Sequence, residues 1–359
     1  MNQNLFFTPT DILLPERADM HRWSVIACDQ FTSDAAYWRA VQDTVGDVPS
    51  TLRLMLPEFY LGKCDEAAAT RAIQQTMHAY LEGGVFRTVP HSLVLVQRTL
   101  PGGAVRCGIV GALDLEAYDY APDSVTPIRA TEGTVASRLP ARVRIRAAAA
   151  LEMPHIMVFY TDPEDAICRK AEALAGDTLY DFDLMKKGGH IAGYLIEKPM
   201  QEKIIAALEK LGDIDAFNTK YGLKETSPLV YAMGDGNHSL ATAKEFYEEQ
   251  KRENPDKDMS NALCRYALVE IVNLHSPALE FEAIHRIVTD VDTKALMSEM
   301  TAALELSEEK SEQAIVVCDN GTEKTLYIHK PTSKLTVGSL QNFLDSYIKE
   351  KGGKVDYIH

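Results

Sequence analysis

Two apolar segments around a glycine-containing turn restrict most strongly what this chain can fold into. Ser92–Thr99 and Val105–Asp114 flank Pro101-Gly102-Gly103, and such a turn between strand-like runs predicts an antiparallel hairpin. Two further pairs of segments show the same pattern: 179–185 with 190–196, and 314–318 with 325–329. Because these hairpins alternate irregularly with helical segments, the sequence predicts an α+β fold with mixed, largely antiparallel sheets and packed helices.

Helical periodicity accounts for most of the remaining chain. Apolar residues and alanines recur at helical spacing from Asp65 to Glu82, and Gly83-Gly84 follows as a stop signal because glycine accepts the left-handed cap conformation. An arginine- and alanine-rich run that ends at Leu151 also has helical character. Further helices are predicted for residues 34–42, 162–174, 199–211, 240–253, 292–306 and 340–351.

The composition disfavours several classes of protein. The 37 Lys and Arg residues against 52 Asp and Glu give a formal net charge of −15, which argues against dedicated nucleic-acid binding. No apolar stretch approaches the ~20 residues of a membrane span and no secretory signal pattern is present, so we expect a cytoplasmic protein without membrane association. The six scattered cysteines show no metal-site spacing, which predicts reduced thiols.

The length and the order of the predicted elements give a first division of the chain. A chain of 359 residues suggests about two domains. The predicted elements separate three regions: an N-terminal α+β region at 1–125, a central region at 126–290, and a helix–hairpin–helix region at 291–359. Both of the main candidate motifs lie in the central region.

The sharpest of these motifs is a glycine turn, Gly234–Ser239, between the apolar segment Leu229–Met233 and a predicted helix. A strand–turn–helix unit presents free backbone N–H groups and the positive end of the helix dipole, a geometry that binds phosphate. Its glycines would allow an anion to approach closely, and its polar side chains could donate hydrogen bonds. The alternative is structural, because Asp, Asn and Ser all cap helices and glycine suits any tight turn.

The second motif is a cluster of arginines in an otherwise acidic part of the sequence: Arg129, Arg138, Arg142, Arg144 and Arg146. Arginine binds phosphate and carboxylate oxygens through paired hydrogen bonds, so the cluster indicates a polyanionic ligand. Glu132 is the only acidic residue within it and is the candidate general base. Ion pairs with the surplus acids would explain the arginines and Glu132 equally well. His285-Arg286 is a third, more isolated candidate for the site.

Taken in order, these residues resemble the family catalogued as domain of unknown function 1015. The resemblance begins near Leu52 and includes four segments: Gly108–Gly111, Ile128–Glu132, His155–Tyr160 and Leu279–Arg286. The family's Asp-Gly-His-His-Arg turn aligns with Asp235–Ser239, where Asn237 and Ser239 replace a histidine and the arginine. This replacement removes one fixed positive charge, which Lys244 or the arginine cluster would supply instead.

The same turn is similar to the phosphate-binding turn of the ParB and sulfiredoxin superfamily, which includes free serine kinases. That similarity implies a ParB/sulfiredoxin-like part of the fold and a nucleotide as ligand. The resemblance therefore adds nucleotide chemistry to the phosphate site that the strand–turn–helix pattern predicts.

The combined expectation is a nucleotide-dependent phosphotransferase that acts on a small hydroxyl metabolite such as serine, with Mg²⁺ and ATP or ADP as cofactors. Phosphate contacts are expected from Gly234, Gly236, Asn237, Ser239, Arg138, Arg142, His285 and Arg286. His238 would stabilise charge, Asp235 would bind Mg²⁺, and Glu132 would accept the hydroxyl proton. The alternatives are a non-catalytic nucleotide or phosphometabolite sensor and a purely structural turn. The expected partners are the substrate and the nucleotide, and association into a homo-oligomer is left open.

Overall fold

A computed structural model of the chain describes residues 6–27, 31, 34–60, 62–132, 139–153, 156–173, 175–279, 285–319 and 321–358. Within these residues the α-helices are α1 (Met20–Trp23), α2 (Ala35–Val45), α3 (Glu66–Glu82), α4 (Leu139–Ala147), α5 (Ala166–Ala173), α6 (Lys198–Glu209), α7 (Ile214–Tyr221), α8 (Asn237–Glu253), α9 (Thr293–Leu304) and α10 (Thr336–Lys351). The strands are β1 (Phe7–Thr8), β2 (Thr10–Pro15), β3 (Phe86–Thr99), β4 (Val105–Asp114), β5 (Tyr118–Asp119), β6 (Ile128–Arg129), β7 (Met157–Tyr160), β8 (Ala175–Asp183), β9 (His190–Ile196), β10 (Tyr231–Asp235), β11 (Tyr266–Asn273), β12 (His285–Thr289), β13 (Leu306–Ser307), β14 (Gln313–Asp319), β15 (Thr322–Ile328) and β16 (Lys354–Ile358). The predicted α+β class is confirmed.

The chain divides into two compact units, Met1–Glu280 and Phe281–His359. The first unit is built on an 11-stranded sheet with the order β5-β6-β10-β7-β11-β4-β3-β9-β8, while β1 pairs with β4 and β2 with β3. The pairs β5–β6, β6–β10 and β7–β11 are parallel, and the other described pairs of this sheet are antiparallel. The second unit contains a three-stranded sheet, β13-β15-β14, and the pair β12–β16.

The main hydrophobic core lies between one face of the large sheet and helices α5, α6 and α8. Alternation along β3 shows the two faces, because Leu93 and Leu95 belong to this core while Val94 and Val96 belong to a separate cluster with Ile12. Leu240, at the start of α8, is fully buried in the main core. This packing anchors the first turns of α8 against the sheet.

The hairpin and helix signals in the sequence correspond closely to what forms. β3 and β4 pair in register from Val94 opposite Val110 to Thr99 opposite Val105, although β3 begins earlier than predicted, at Phe86. Helix α3 is capped by the Asp65 carboxylate, which accepts from Ala68 N, and it ends at Gly83. Gly84 then has a φ of 64°, the left-handed conformation expected of one of the two glycines.

Helices α7 and α5 of the first unit differ from the predictions. Helix α7 was not predicted, although Asp213 caps it and Gly222, with a φ of 64°, ends it. Its eight residues are too few for a clear apolar period, and none of them is buried. Helix α5 begins at Ala166, so Pro163 lies in the preceding turn and not in the first turn of the helix.

The prediction of reduced thiols is wrong for Cys107 and Cys168, which form a disulfide. They lie on β4 and α5 at a sequence separation of 61, so only the tertiary fold brings them together. Cys64, Cys264 and Cys318 are free thiols. Among the described residues, no helix has the length and apolar character required to cross a membrane.

The β8–β9 hairpin provides a pH-dependent contribution to stability. The pKa of His190 is raised chiefly by its hydrogen bond with Asp183, and also by Asp181 on its other ring nitrogen. A raised pKa means that the stabilisation is complete below the ordinary value near ~6.5 and is lost as pH rises through the raised value. We therefore expect His190→Gln to be less stable than wild type in urea at about pH 5.5 and equally stable at about pH 9. A difference between the two proteins that grows with pH would contradict this.

Candidate functional site

The glycine turn joins the core strand β10 to helix α8. Tyr231 and Met233 anchor the strand, with 2% and 1% of their surface exposed. Gly236 follows with a φ of 84° and forms the N-cap of α8. An added Cβ at this position would also lie 3.3 Å from Ile156 Cα, so both backbone conformation and space favour glycine. The turn therefore fixes the position at which α8 begins.

Among the residues that the structure describes, no side chain caps helix α8. The Asp235 carboxylate accepts a hydrogen bond from Gly236 N at 2.7 Å and not from an N–H of the helix. By contrast, α1, α2, α3, α7 and α9 each have an aspartate at the N-cap that accepts from first-turn N–H groups. Within this described part of the chain, the N–H groups of Asn237 and His238 are thus not engaged by a capping side chain, and they remain directed along the helix axis.

Gly234 has a different structural reason to be glycine. A Cβ there would lie 2.7 Å from two ring carbons of Phe159 on the neighbouring strand β7. The residue packs against that ring, although it is itself exposed. Close packing against Phe159 thus explains this glycine without any ligand.

Asn237 connects the turn to the segment that follows β6. Its side chain is 6% exposed; Oδ1 accepts from Thr131 N at 3.0 Å, and Nδ2 donates to Thr131 Oγ1 at 3.2 Å. The Thr131 hydroxyl in turn donates to Met233 O at 3.0 Å. These bonds engage both polar atoms of the Asn237 side chain, so its backbone N–H is the group that we expect to meet an anion at the turn. Thr131, which the sequence did not single out, is the residue that docks this segment on the turn.

This docking places Glu132 next to the turn, because it directly follows Thr131. Glu132 is exposed. Within the described residues its carboxylate makes no hydrogen bond or ion pair, so the salt bridge considered from the sequence does not form there. Within the part of the chain that the structure describes, no contact of this carboxylate competes with a role in proton transfer.

Loss of the Asn237 side chain should weaken this arrangement measurably. Asn237→Ala leaves the Thr131 N–H without its acceptor and removes the hydrogen bond that the Thr131 hydroxyl accepts, and we expect a loss of about 1–2 kcal/mol in the free energy of unfolding. Asn218→Ala, which removes two hydrogen bonds between helix α7 and Glu225 at a half-buried position, is the comparison variant. Urea unfolding of both variants checks this, and an unchanged Asn237→Ala protein would show that the docking contributes nothing.

His238 occupies the second position of α8 and is half-buried. Its ring atom Nε2 is buried and has no hydrogen-bond partner among the residues that the structure describes. An unsatisfied buried polar atom is destabilising, so it needs a compensating role, and a ligand at the turn would give it a partner. The backbone carbonyl of His238 accepts from the Thr242 hydroxyl at 2.7 Å, which holds the first turn of α8 in place.

The arginine cluster divides into several groups. Helix α4 carries three of its members and packs against α8. Within the described residues Arg142 and Arg144 form no ion pair, whereas Arg146 binds Glu152 at 2.8 Å. Arg129 donates to Thr126 O at 2.7 Å and to Ser227 O, which is a structural role. Arg138 lies outside the described residues. Arg142 is therefore the half-buried member of α4 that remains free to bind an anion.

Two other predicted positive groups are engaged elsewhere. Lys244 Nζ donates to Leu115 O at 2.9 Å and pairs with Glu248 at 2.8 Å, so it does not replace the missing arginine of the turn. His285 and Arg286 belong to β12 in the second compact unit, where Arg286 Nε donates to Gln341 Oε1 at 3.1 Å. The structure therefore gives these three residues structural contacts of their own.

A polar network that the sequence did not reveal holds the body of α8. Glu116 accepts from the Tyr247 hydroxyl at 2.6 Å and from Lys251 at 3.0 Å. Burial acts to raise the pKa of Glu116, but these two hydrogen bonds outweigh it and lower that pKa. Arg265 meanwhile binds both oxygens of Asp114, at 2.9 and 2.6 Å. Together these contacts fix α8 and the start of β11 to the end of β4.

The fold and site define an α+β protein whose central sheet presents an uncapped helix N-terminus at a glycine turn. Residues 9–347 match the family described as "Protein of unknown function (DUF1015)", and the chain belongs to that family. This confirms the resemblance to the domain of unknown function 1015 family. No curated protein and no solved structure matches the chain.

Proposed function

We propose that this protein is a cytoplasmic, nucleotide-dependent phosphotransferase that binds phosphate at the start of α8 and acts on a small hydroxyl metabolite such as serine. The observation that carries the proposal is the set of hydrogen bonds among Asn237, Thr131 and Met233, which holds the residue before Glu132 against the start of α8. A phosphate at this helix N-terminus and the Glu132 carboxylate would then lie at one place. The likeness of the turn to that of the ParB and sulfiredoxin superfamily supports the same chemistry.

The backbone of the turn supplies the phosphate contacts. The N–H groups of Asn237, His238 and Ser239 start the helix, and a phosphate there would interact favourably with the helix dipole. The buried Nε2 of His238 would gain a hydrogen bond to the anion. Arg142, on the helix packed against α8, would add the fixed positive charge that Ser239 does not provide.

The carboxylates would have separate tasks. Mg²⁺ prefers one or two carboxylates together with phosphate oxygens and water, and the exposed Asp235 carboxylate at the turn fits that donor set. When bound, the ion would neutralise phosphate charge. Glu132 would accept the proton of the substrate hydroxyl as its oxygen bonds to the terminal phosphorus of the nucleotide, while the bond from that phosphorus to the bridging oxygen breaks and the nucleotide leaves with one phosphate fewer. The sequence of the turn departs from the family pattern at Asn237 and Ser239, which favours a second candidate, a sensor that binds nucleotide without turnover.

A thermal-shift screen tests the proposal. The ligands are ATP, ADP, CTP, phosphoserine and phosphate, each with and without Mg²⁺, on wild type, His238→Ala and the control His78→Ala on the exposed face of α3. A ligand at ~100 times its Kd adds about 2.7 kcal/mol of stability. We expect stabilisation of wild type and His78→Ala by at least one nucleotide, and much less of His238→Ala. Stabilisation without turnover of serine or related alcohols would favour the sensor, and no stabilisation of wild type would contradict both.

A further inference from the structure

Cys107 and Cys168 connect two elements of the first unit that no local sequence pattern links. Cys107 lies on β4 next to β3, and Cys168 lies on α5, with a Cα–Cα distance of 6.4 Å. Ile167 and Ala171 of the same helix are buried in the main core, so α5 already packs on this face of the sheet. The disulfide therefore adds a covalent link to a short helix that is already packed against the sheet.

The two sulfur atoms differ in their access to solvent. Cys168 is 2% exposed, whereas Cys107 is partly exposed. Glu172 lies one helical turn after Cys168, and its carboxylate accepts from Gln97 Nε2 at 3.0 Å. Gln97 is the direct neighbour of Cys107 across the β3–β4 ladder. The polar pair Gln97–Glu172 thus forms a solvent-accessible rim beside Cys107, while Cys168 lies behind it.

We propose that Cys107 and Cys168 form a reversible redox site, in which Cys107 reacts with external disulfides and Cys168 resolves the adduct. The accessible thiol must react first, because an attacking sulfur needs a direct path to its partner. The Cys107 thiolate attacks one sulfur of a low-molecular-weight disulfide such as oxidised glutathione, whose S–S bond breaks and releases one thiol. The Cys168 thiolate then attacks the sulfur of Cys107 and releases the second thiol.

The overall reaction is balanced. Two protein thiols lose two electrons and form one disulfide, while the small disulfide gains two electrons and becomes two thiols that carry the two protons. Excess reduced thiol reverses both steps, and it enters again at the accessible Cys107. This redox site is independent of the phosphate site at α8, since it involves other residues and another chemistry.

The test is peptide mapping of the full chain by mass spectrometry after incubation in glutathione buffers of different redox ratio. We expect the Cys107 and Cys168 peptides to be cross-linked in oxidising buffer and separately alkylated after dithiothreitol. In oxidising buffer, Cys168→Ser should accumulate one glutathione on Cys107, whereas Cys107→Ser should leave Cys168 unmodified. The exposed Cys64 and Cys318 serve as internal references for adducts on a thiol without a partner.

A second measurement keeps the proposal testable if either variant folds poorly. Because the cross-link closes a long loop, oxidised wild type should melt about 5 °C or more above the reduced protein. Equal melting temperatures, free thiols at both positions in oxidising buffer, or a bond that resists dithiothreitol would overturn the proposal. Thiols that become reactive only after treatment with EDTA would also overturn the proposal. The two sulfurs and the Glu172 carboxylate lie within 4.8 Å of one another, so that result would identify them as metal ligands.

Discussion

Replacement of His238 by alanine should reduce phosphoryl transfer by about 100-fold or more, because a positioned donor at the reacting phosphate contributes at this level. The same substitution should have little effect on the stability of the unliganded protein. Nε2 of His238 is buried without a partner, so its removal eliminates an unsatisfied polar atom. The measurement is kcat for the best nucleotide and acceptor, together with urea unfolding of the same preparations.

A loss of kcat without a loss of stability distinguishes a ligand-binding histidine from a structural one. His238→Leu removes the ring nitrogens while it keeps an apolar group of similar length, and we expect it to be inactive and at least as stable as wild type. His78→Ala should leave kcat unchanged. An active His238→Leu protein, or one that loses both stability and activity, would remove His238 from the proposed site.

Loss of Arg265 should cause the largest loss of stability in the first unit. Asp114 is 8% exposed, and its carboxylate accepts two hydrogen bonds from the Arg265 guanidinium and one from Glu116 N. Arg265→Met leaves that buried charge without its countercharge and with only the Glu116 N–H as a donor, at an expected cost of about 3 kcal/mol. Urea unfolding should show this as a lower midpoint with an unchanged slope.

Two further variants separate the buried pair from ordinary ion pairing. Asp114→Asn together with Arg265→Met removes the unpaired charge, so the double variant should recover part of the stability that Arg265→Met loses. Lys251→Met breaks a more exposed pair with Glu116 and should cost less than about 1 kcal/mol. A double variant less stable than Arg265→Met would show that the charge of Asp114 is not the cause.

The sequence predicted most elements because their signals are local. The β3–β4 hairpin, the Asp65 cap of α3 and the turn before α8 each depend on residues only a few positions apart. The Cys107–Cys168 disulfide could not be predicted in this way, because its partners are 61 residues apart on a strand and a helix. Helix α7 was missed for a different reason, since an exposed short helix has no apolar period to detect.

The candidate site likewise combines features that are visible in the local sequence with features that depend on the tertiary fold. The glycine turn and the neighbouring arginines were visible as local patterns, but the role of each residue depends on contacts across the fold. Thr131 and Asn237 are 106 residues apart, and their hydrogen bonds give the Asn237 side chain a positioning role. Gly234 likewise owes its small size to Phe159 on another strand. Such assignments require the pairing of β10 with β6 and β7, which no single segment encodes.

Hydrogen exchange measures directly whether the first-turn N–H groups of α8 bind phosphate. Amide exchange would be followed by mass spectrometry for peptides that cover residues 234–242, with and without saturating nucleotide and Mg²⁺. We expect slower exchange in this segment on ligand addition, and no such change in His238→Ala. Ligand binding that protects another part of the chain while residues 237–239 exchange at an unchanged rate would contradict it.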